Sequence, residues 1–152
     1  MGWAKPVQIN PGYYKNPKLG TVLVSLAGPI MNFIIAFISM FGIGVILKID
    51  PTFLFAETGA GSITYKVLIN LVGLNIGLGI FNLIPIPPLD GSKVLSAVLP
   101  EKYYFGYMKY EHYFMIVLLI AVYMGFLSAP INALNDLVFE GMFEVVRIIF
   151  RF

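Results

Sequence analysis

Asp90 is the residue in this sequence best placed to do chemistry. It closes the stretch Asn82-Leu-Ile-Pro85-Ile-Pro87-Pro88-Leu89-Asp90-Gly91, which ends a long apolar run. Pro85, Pro87 and Pro88 lack the amide N–H that a helix interior needs, and each pushes the residue before it into an extended conformation. The preceding helix must stop here and deliver one carboxylate at or near membrane depth, where an isolated acid is costly. Two readings of Asp90 follow, and they are compatible. It caps the short helix that starts near Gly91, as Asp commonly does, or it binds an ion, proton or metal in a protein-lined cavity of the kind that broken membrane helices provide. Asn32 and Asn82 are further candidates, each for a helix–helix hydrogen bond or for polarising a ligand near Asp90. The sole histidine, His112, lies between Glu111 and Tyr113 and reads as an ordinary interfacial residue.

Composition sets the environment of these groups. The chain has 152 residues, 59% hydrophobic and 12% charged, with a mean hydropathy of +0.85. Soluble domains carry about 25% charged residues, so the sequence is that of a membrane protein with the lipid bilayer as its first partner. A net charge of +2 with dispersed Lys and Arg argues against nucleic acid as a partner. Cysteine is absent, which excludes disulfides, thiolate zinc sites and thiol nucleophiles.

The elements that must position Asp90 follow from the apolar runs. Residues 1–20 hold Lys5, Pro6, Pro11, Lys15, Pro17 and Lys18 without an apolar signal segment, and read as a membrane-proximal loop. From Val22 to Leu47 no charge occurs over about 39 Å of helix, enough for a first span. Residues 51–62 read as a loop, and 63–84 as a second span ended by the prolines. Within that span, Gly73-x-x-x-Gly77 permits close helix contact, and Asn75 and Asn82 share a face that should point into the protein. Residues 85–111 hold the Pro-rich segment, a short helix from Ser92 to Leu99, and a belt of Tyr103, Tyr104, Tyr107 and Tyr110, continued by Tyr113, suited to a membrane interface. The uncharged run 113–129 is a marginal third span, with Pro130 kinking or ending it. In 131–152, Asp136, Glu140, Glu144, Arg147 and Arg151 recur at helical spacing on one face, opposite Leu134, Leu137, Val138, Val145, Ile148 and Ile149. That pattern predicts an amphipathic helix at the interface or packed on the bundle. The expected fold is a single all-α membrane domain over 1–152, with about three transmembrane helices, one of them broken at the Pro-rich Leu-Asp-Gly segment, and a C-terminal amphipathic helix.

Two spans before Asp90 put it on the same side of the membrane as the N-terminal loop. That side would hold Lys5, Lys15, Lys18, Lys93, Lys102 and Lys109, against Lys48, Lys66, Arg147 and Arg151 on the other. The excess favours a cytoplasmic N-terminus.

These motifs carry a likeness. Asn82-x-x-Pro85-x-Pro87-x-Leu89-Asp90-Gly91 resembles the second signature of the site-2 protease family, the intramembrane zinc metalloproteases. Ala27-Gly28-Pro29-Ile-Met-Asn32 is similar to the Gly-Pro-x-x-Asn motif of that family. Gly2-Trp3-Ala4-Lys5-Pro6-Val7, followed by Asn10-Pro11, resembles the membrane-proximal segment of its compact prokaryotic members. The three motifs stand in the family's order over roughly residues 1–100.

The resemblance implies an integral protein of a prokaryotic cell membrane that cleaves transmembrane or membrane-anchored proteins. It makes Asp90 the third zinc ligand, the other two being histidines of a His-Glu-x-x-His helix whose glutamate is the general base. Three protein ligands leave zinc an open position for water, whose pKa the metal lowers towards 7. Asn32 and Asn82 would line the site and orient the substrate or a developing oxyanion.

The 152 residues depart from the family at one point: they hold no His-Glu-x-x-His, and one histidine cannot supply two ligands. The family places that helix ahead of the Gly-Trp-Ala-Lys-Pro segment. The expectation is therefore the C-terminal part of a protease, inactive alone. The alternative is a non-catalytic relative that binds transmembrane segments. A transporter or channel piece holding a cation at Asp90 is disfavoured, because no second broken span matches the first.

Overall fold

A computed structural model describes residues 17–55, 58–100, 106, 107 and 109–151. The N-terminal segment of the resemblance, and Tyr103 and Tyr104 of the belt, lie outside them. Six helices are described: α1 (Pro17–Ile49), α2 (Pro51–Leu54), α3 (Ala60–Leu83), α4 (Asp90–Val98), α5 (Glu111–Tyr123) and α6 (Ser128–Phe150). The described residues contain no strand, and the protein is an all-α integral membrane protein.

α1 and α3 are each long and apolar enough to cross a bilayer. α1 starts at Pro17, inside the stretch read as loop, because proline suits a first helical turn. The 51–62 loop contains α2, capped by Asp50, whose carboxylate accepts from the Thr52 amide (3.0 Å) and hydroxyl (2.6 Å).

The core is a three-helix seam. Ala36 and Met40 of α1, Val72, Ile76 and Ile80 of α3, and Val146 of α6 are buried together, flanked by Phe33, Phe37, Val138, Phe139, Met142 and Phe150. Their spacing of three and four residues aligns them along one side of each helix. Lipid is as apolar as these side chains, so close packing holds the seam rather than escape from water. The close approaches fall at Gly79, where a Cβ would lie 2.8 Å from the Phe33 ring, and at Gly44, where it would lie 2.6 Å from Val146 and 2.8 Å from Phe150. Gly73 of the Gly-x-x-x-Gly pair meets nothing within 4 Å, and Gly77 faces the Asn135 amide at 3.8 Å.

α6 runs antiparallel to α3, from a groove beside Leu83, Ile84 and Pro85 to the Gly44 contact. Its four charged residues and the C-cap Arg151 are exposed, as the spacing requires. The packed stripe differs from the expected apolar face. Asn135, Val138, Phe139, Met142, Val146 and Phe150 turn inwards, while Leu134, Leu137, Val145, Ile148 and Ile149 remain exposed and suited to lipid. α5 and α6 meet at 79°, and the pair is long and apolar enough to form either a third, broken span or a re-entrant loop. The break falls at Gly125, whose φ of +76° favours glycine, whereas Pro130 sits in the first turn of α6 where it is tolerated.

Candidate functional site

The Pro-rich turn folds the chain back on itself. α3 ends at Leu83, and Ile84 adopts the extended backbone (φ −60°, ψ 127°) that a following proline demands. Two amides then donate within the turn, from Ile86 to Ile84 O (2.8 Å) and from Leu89 to Ile86 O (2.9 Å). The Tyr107 hydroxyl donates to the carbonyl of Pro85. Burial pushes that phenol's pKa upward, so it stays a donor at neutral pH. Leu89 occupies the N-cap of α4, and its carbonyl accepts from the Ser92 amide (3.1 Å) and hydroxyl (2.6 Å).

Asp90 is therefore the first residue of α4 rather than its cap. A carboxylate there still gains from the positive end of the helix dipole. Gly91 makes the reversal possible. A Cβ at that position would lie 2.3 Å from Leu83 O and 2.6 Å from Ile84 O, both backbone atoms that cannot yield.

Across the turn stands the Gly-Pro-x-x-Asn segment of α1. A Cβ on Gly28 would sit 3.5 Å from Asp90 Oδ2, an ordinary contact, so the carboxylate stands directly beside this turn of α1. Its other oxygen, Oδ1, accepts from Lys93 Nζ at 2.9 Å, one helical turn on, with Lys93 and Asp90 about one-third exposed. Asn32 is half-buried one turn beyond Gly28, and Asn82 is half-buried in the last turn of α3. The Gly79–Phe33 contact sets these two turns side by side. Asn75 satisfies its amide on its own helix, donating to Leu71 O at 2.8 Å. Buried Asn135 Oδ1 has no partner among the described residues. His112 is exposed at the start of α5, apart from this cluster.

The sequence reading placed Tyr107 in the interfacial belt and counted Lys93 among the charges, but gave neither a part beside Asp90. The three-residue spacing from Asp90 could have pointed to Lys93. No local signal marks a tyrosine that reaches Pro85 from 22 residues away.

The sequence model of peptidase family M50 matches residues 51–127, from α2 through the Asp90 turn to the α5–α6 break. The chain belongs to this family. Two relatives carry the M50 likeness further. YwhC of Bacillus subtilis, whose name assigns it provisionally to the zinc metalloproteases, is 35% identical over 79% of this chain and 53% of its own length. The zinc metalloprotease MJ0392 of Methanocaldococcus jannaschii is 39% identical over 62% of this chain and 24% of its own. The chain thus spans about half of one relative and a quarter of the other. No solved structure matches it.

The donor chemistry decides how a zinc ion would fit this M50 chain. Among the described residues no three His, Cys, Asp or Glu side chains converge as a metal-holding group. Asp90 fits as one hard oxygen ligand, with one carboxylate oxygen tied to Lys93 and the other turned to α1.

Proposed function

We propose that this chain is the portion of an intramembrane zinc metalloprotease that supplies the third zinc ligand, Asp90, and the polar residues facing the substrate. The observation that carries the reading is the meeting of Asp90 Oδ2 with Gly28, which joins two motifs far apart in sequence. Zinc, when bound, polarises a peptide carbonyl and lowers the pKa of its water. The chain's own share is to hold and orient. α4 presents Asp90 beside Gly28 of α1, and the amides of Asn32 and Asn82 on neighbouring turns would serve as donors for a substrate carbonyl. The two remaining ligands and the general base would come from a His-Glu-x-x-His helix, a motif that these 152 residues do not hold. The substrates are transmembrane or membrane-anchored proteins of a prokaryotic cell membrane, with the Asp90 side cytoplasmic.

A non-catalytic module that binds transmembrane segments is the second reading. It draws on the apolar groove of about 430 Å³ between Phe33, Leu83, Pro85, Pro130, Leu134 and Val138. Zinc affinity separates the two. In the full-length protein, Asp90→Asn should weaken zinc binding at least about tenfold, because a neutral amide is a poor replacement for a carboxylate ligand. Equal affinity in the two proteins would remove Asp90 from the site.

A further inference from the structure

The two oxygens of Asp90 have different surroundings. Oδ1 is held by the Lys93 ammonium at 2.9 Å, and Oδ2 stands beside Gly28 of α1, where no side chain competes for it. A carboxylate free to rotate offers a metal either oxygen or both. One gripped by a cation on a single oxygen offers the other. We propose that Lys93 is a positioning residue that fixes the Asp90 carboxylate and restricts it to one-oxygen ligation through Oδ2. The inference rests on the reading of Asp90 as a zinc ligand.

Three features make Lys93 suited to this role. It lies on the same rigid element as Asp90, one turn along α4, so the pair needs no long-range folding to stay in register. Charge-assisted hydrogen bonds are shorter and stronger than neutral ones, so a single ammonium can hold the rotamer. The backbone below the pair is also pinned. Gly91 is pressed against the carbonyls of Leu83 and Ile84, and buried Ser92 bonds Leu89 O, so the carboxylate is the main freedom left. Groups that orient a metal's ligands typically change its affinity by 10–100-fold when removed. A cation near a metal also repels it. The proposal requires orientation to outweigh that repulsion, and the sign of the effect on zinc affinity decides between them.

The test uses the full-length protein purified from membranes, with Lys93→Met, Lys93→Arg and Asp90→Asn. Zinc dissociation constants come from chelator competition, and coordination from the visible spectrum of the cobalt-substituted protein. Lys93→Met should weaken zinc about tenfold or more and shift the cobalt bands towards a higher coordination number as Oδ1 joins. Lys93→Arg, which keeps the charge and the donor, should stay within about threefold of the parent with its spectrum unchanged. Melting curves of the metal-free proteins check that the variants fold. Should Lys93→Met bind zinc as tightly as the parent or more tightly, or leave the cobalt spectrum unchanged, the positioning role is overturned. If Asp90→Asn weakens zinc while Lys93→Met does not, the inference about Lys93 fails alone. If neither does, the reading of Asp90 fails with it.

Discussion

The two glycines of the candidate site differ in how much room a side chain would find. At Gly91 any side chain meets the backbone of Leu83 and Ile84, so Gly91→Ala must open the turn that sets Asp90 in place. Overpacking of this kind costs about 1–3 kcal/mol, and thermal unfolding should show it as a lowered midpoint. Gly28→Ala differs, because its Cβ reaches only ordinary contact with Asp90 Oδ2 at 3.5 Å. Its stability should stay within about 1 kcal/mol of the parent, set mainly by helix propensity. Gly28→Leu would fill the space before Oδ2 and should weaken zinc binding in the full-length protein while the fold persists. Unchanged zinc affinity in that variant would show that the Gly28 side of the carboxylate is not where the metal lies. Residue types singled out Asp90 and the two asparagines as candidates in the sequence. The order of contacts was not legible there, because a turn built on three prolines sets its own geometry, and the helix began one residue earlier than the capping rule suggested.

Among the elements, α1 and α3 were readable because uncharged runs of that length have few alternatives to spanning a bilayer. The packed face of α6 was not readable. Charge spacing locates the exposed stripe, but in lipid both other faces are apolar, and only the fit against Gly44 and Gly77 selects one. Gly44→Leu should therefore separate α6 from α1 where Gly73→Leu is tolerated, and proteolysis or hydrogen exchange of α6 in detergent distinguishes them. The Pro-rich turn depends on Tyr107 in the same way. Tyr107→Phe removes the bond to Pro85 O, which is worth about 0.5–1.5 kcal/mol, and should raise amide exchange at Ile86 and Leu89. At the other end of the molecule, Thr52 holds the Asp50 carboxyl below its usual 3.8, chiefly through its hydroxyl and then its amide. A depressed carboxyl pKa stabilises the fold above the ordinary value and loses that effect as pH falls through the folded one. α2 should accordingly loosen only below about pH 4 and not between pH 5 and 8.

On the scale of the whole molecule, three helices form a packed seam, and one end of it carries the candidate residues that the structure describes. Asp90, Lys93, Gly28, Asn32 and Asn82 gather where α3 breaks and α4 begins. The opposite end holds an apolar pocket of about 260 Å³ walled by Met40, Leu47, Tyr65, Phe139 and Phe143, with no acid among its lining residues. The two ends of the seam thus differ in polarity. The most direct test is proteolysis of a membrane-anchored reporter by the full-length protein and its Asp90→Asn variant, both inserted in liposomes with zinc supplied. The expected result is cleavage by the parent and a loss of at least about a hundredfold in the variant, as for removal of a group that holds the catalytic metal. Equal cleavage by both proteins would contradict the assignment of Asp90 to the zinc site.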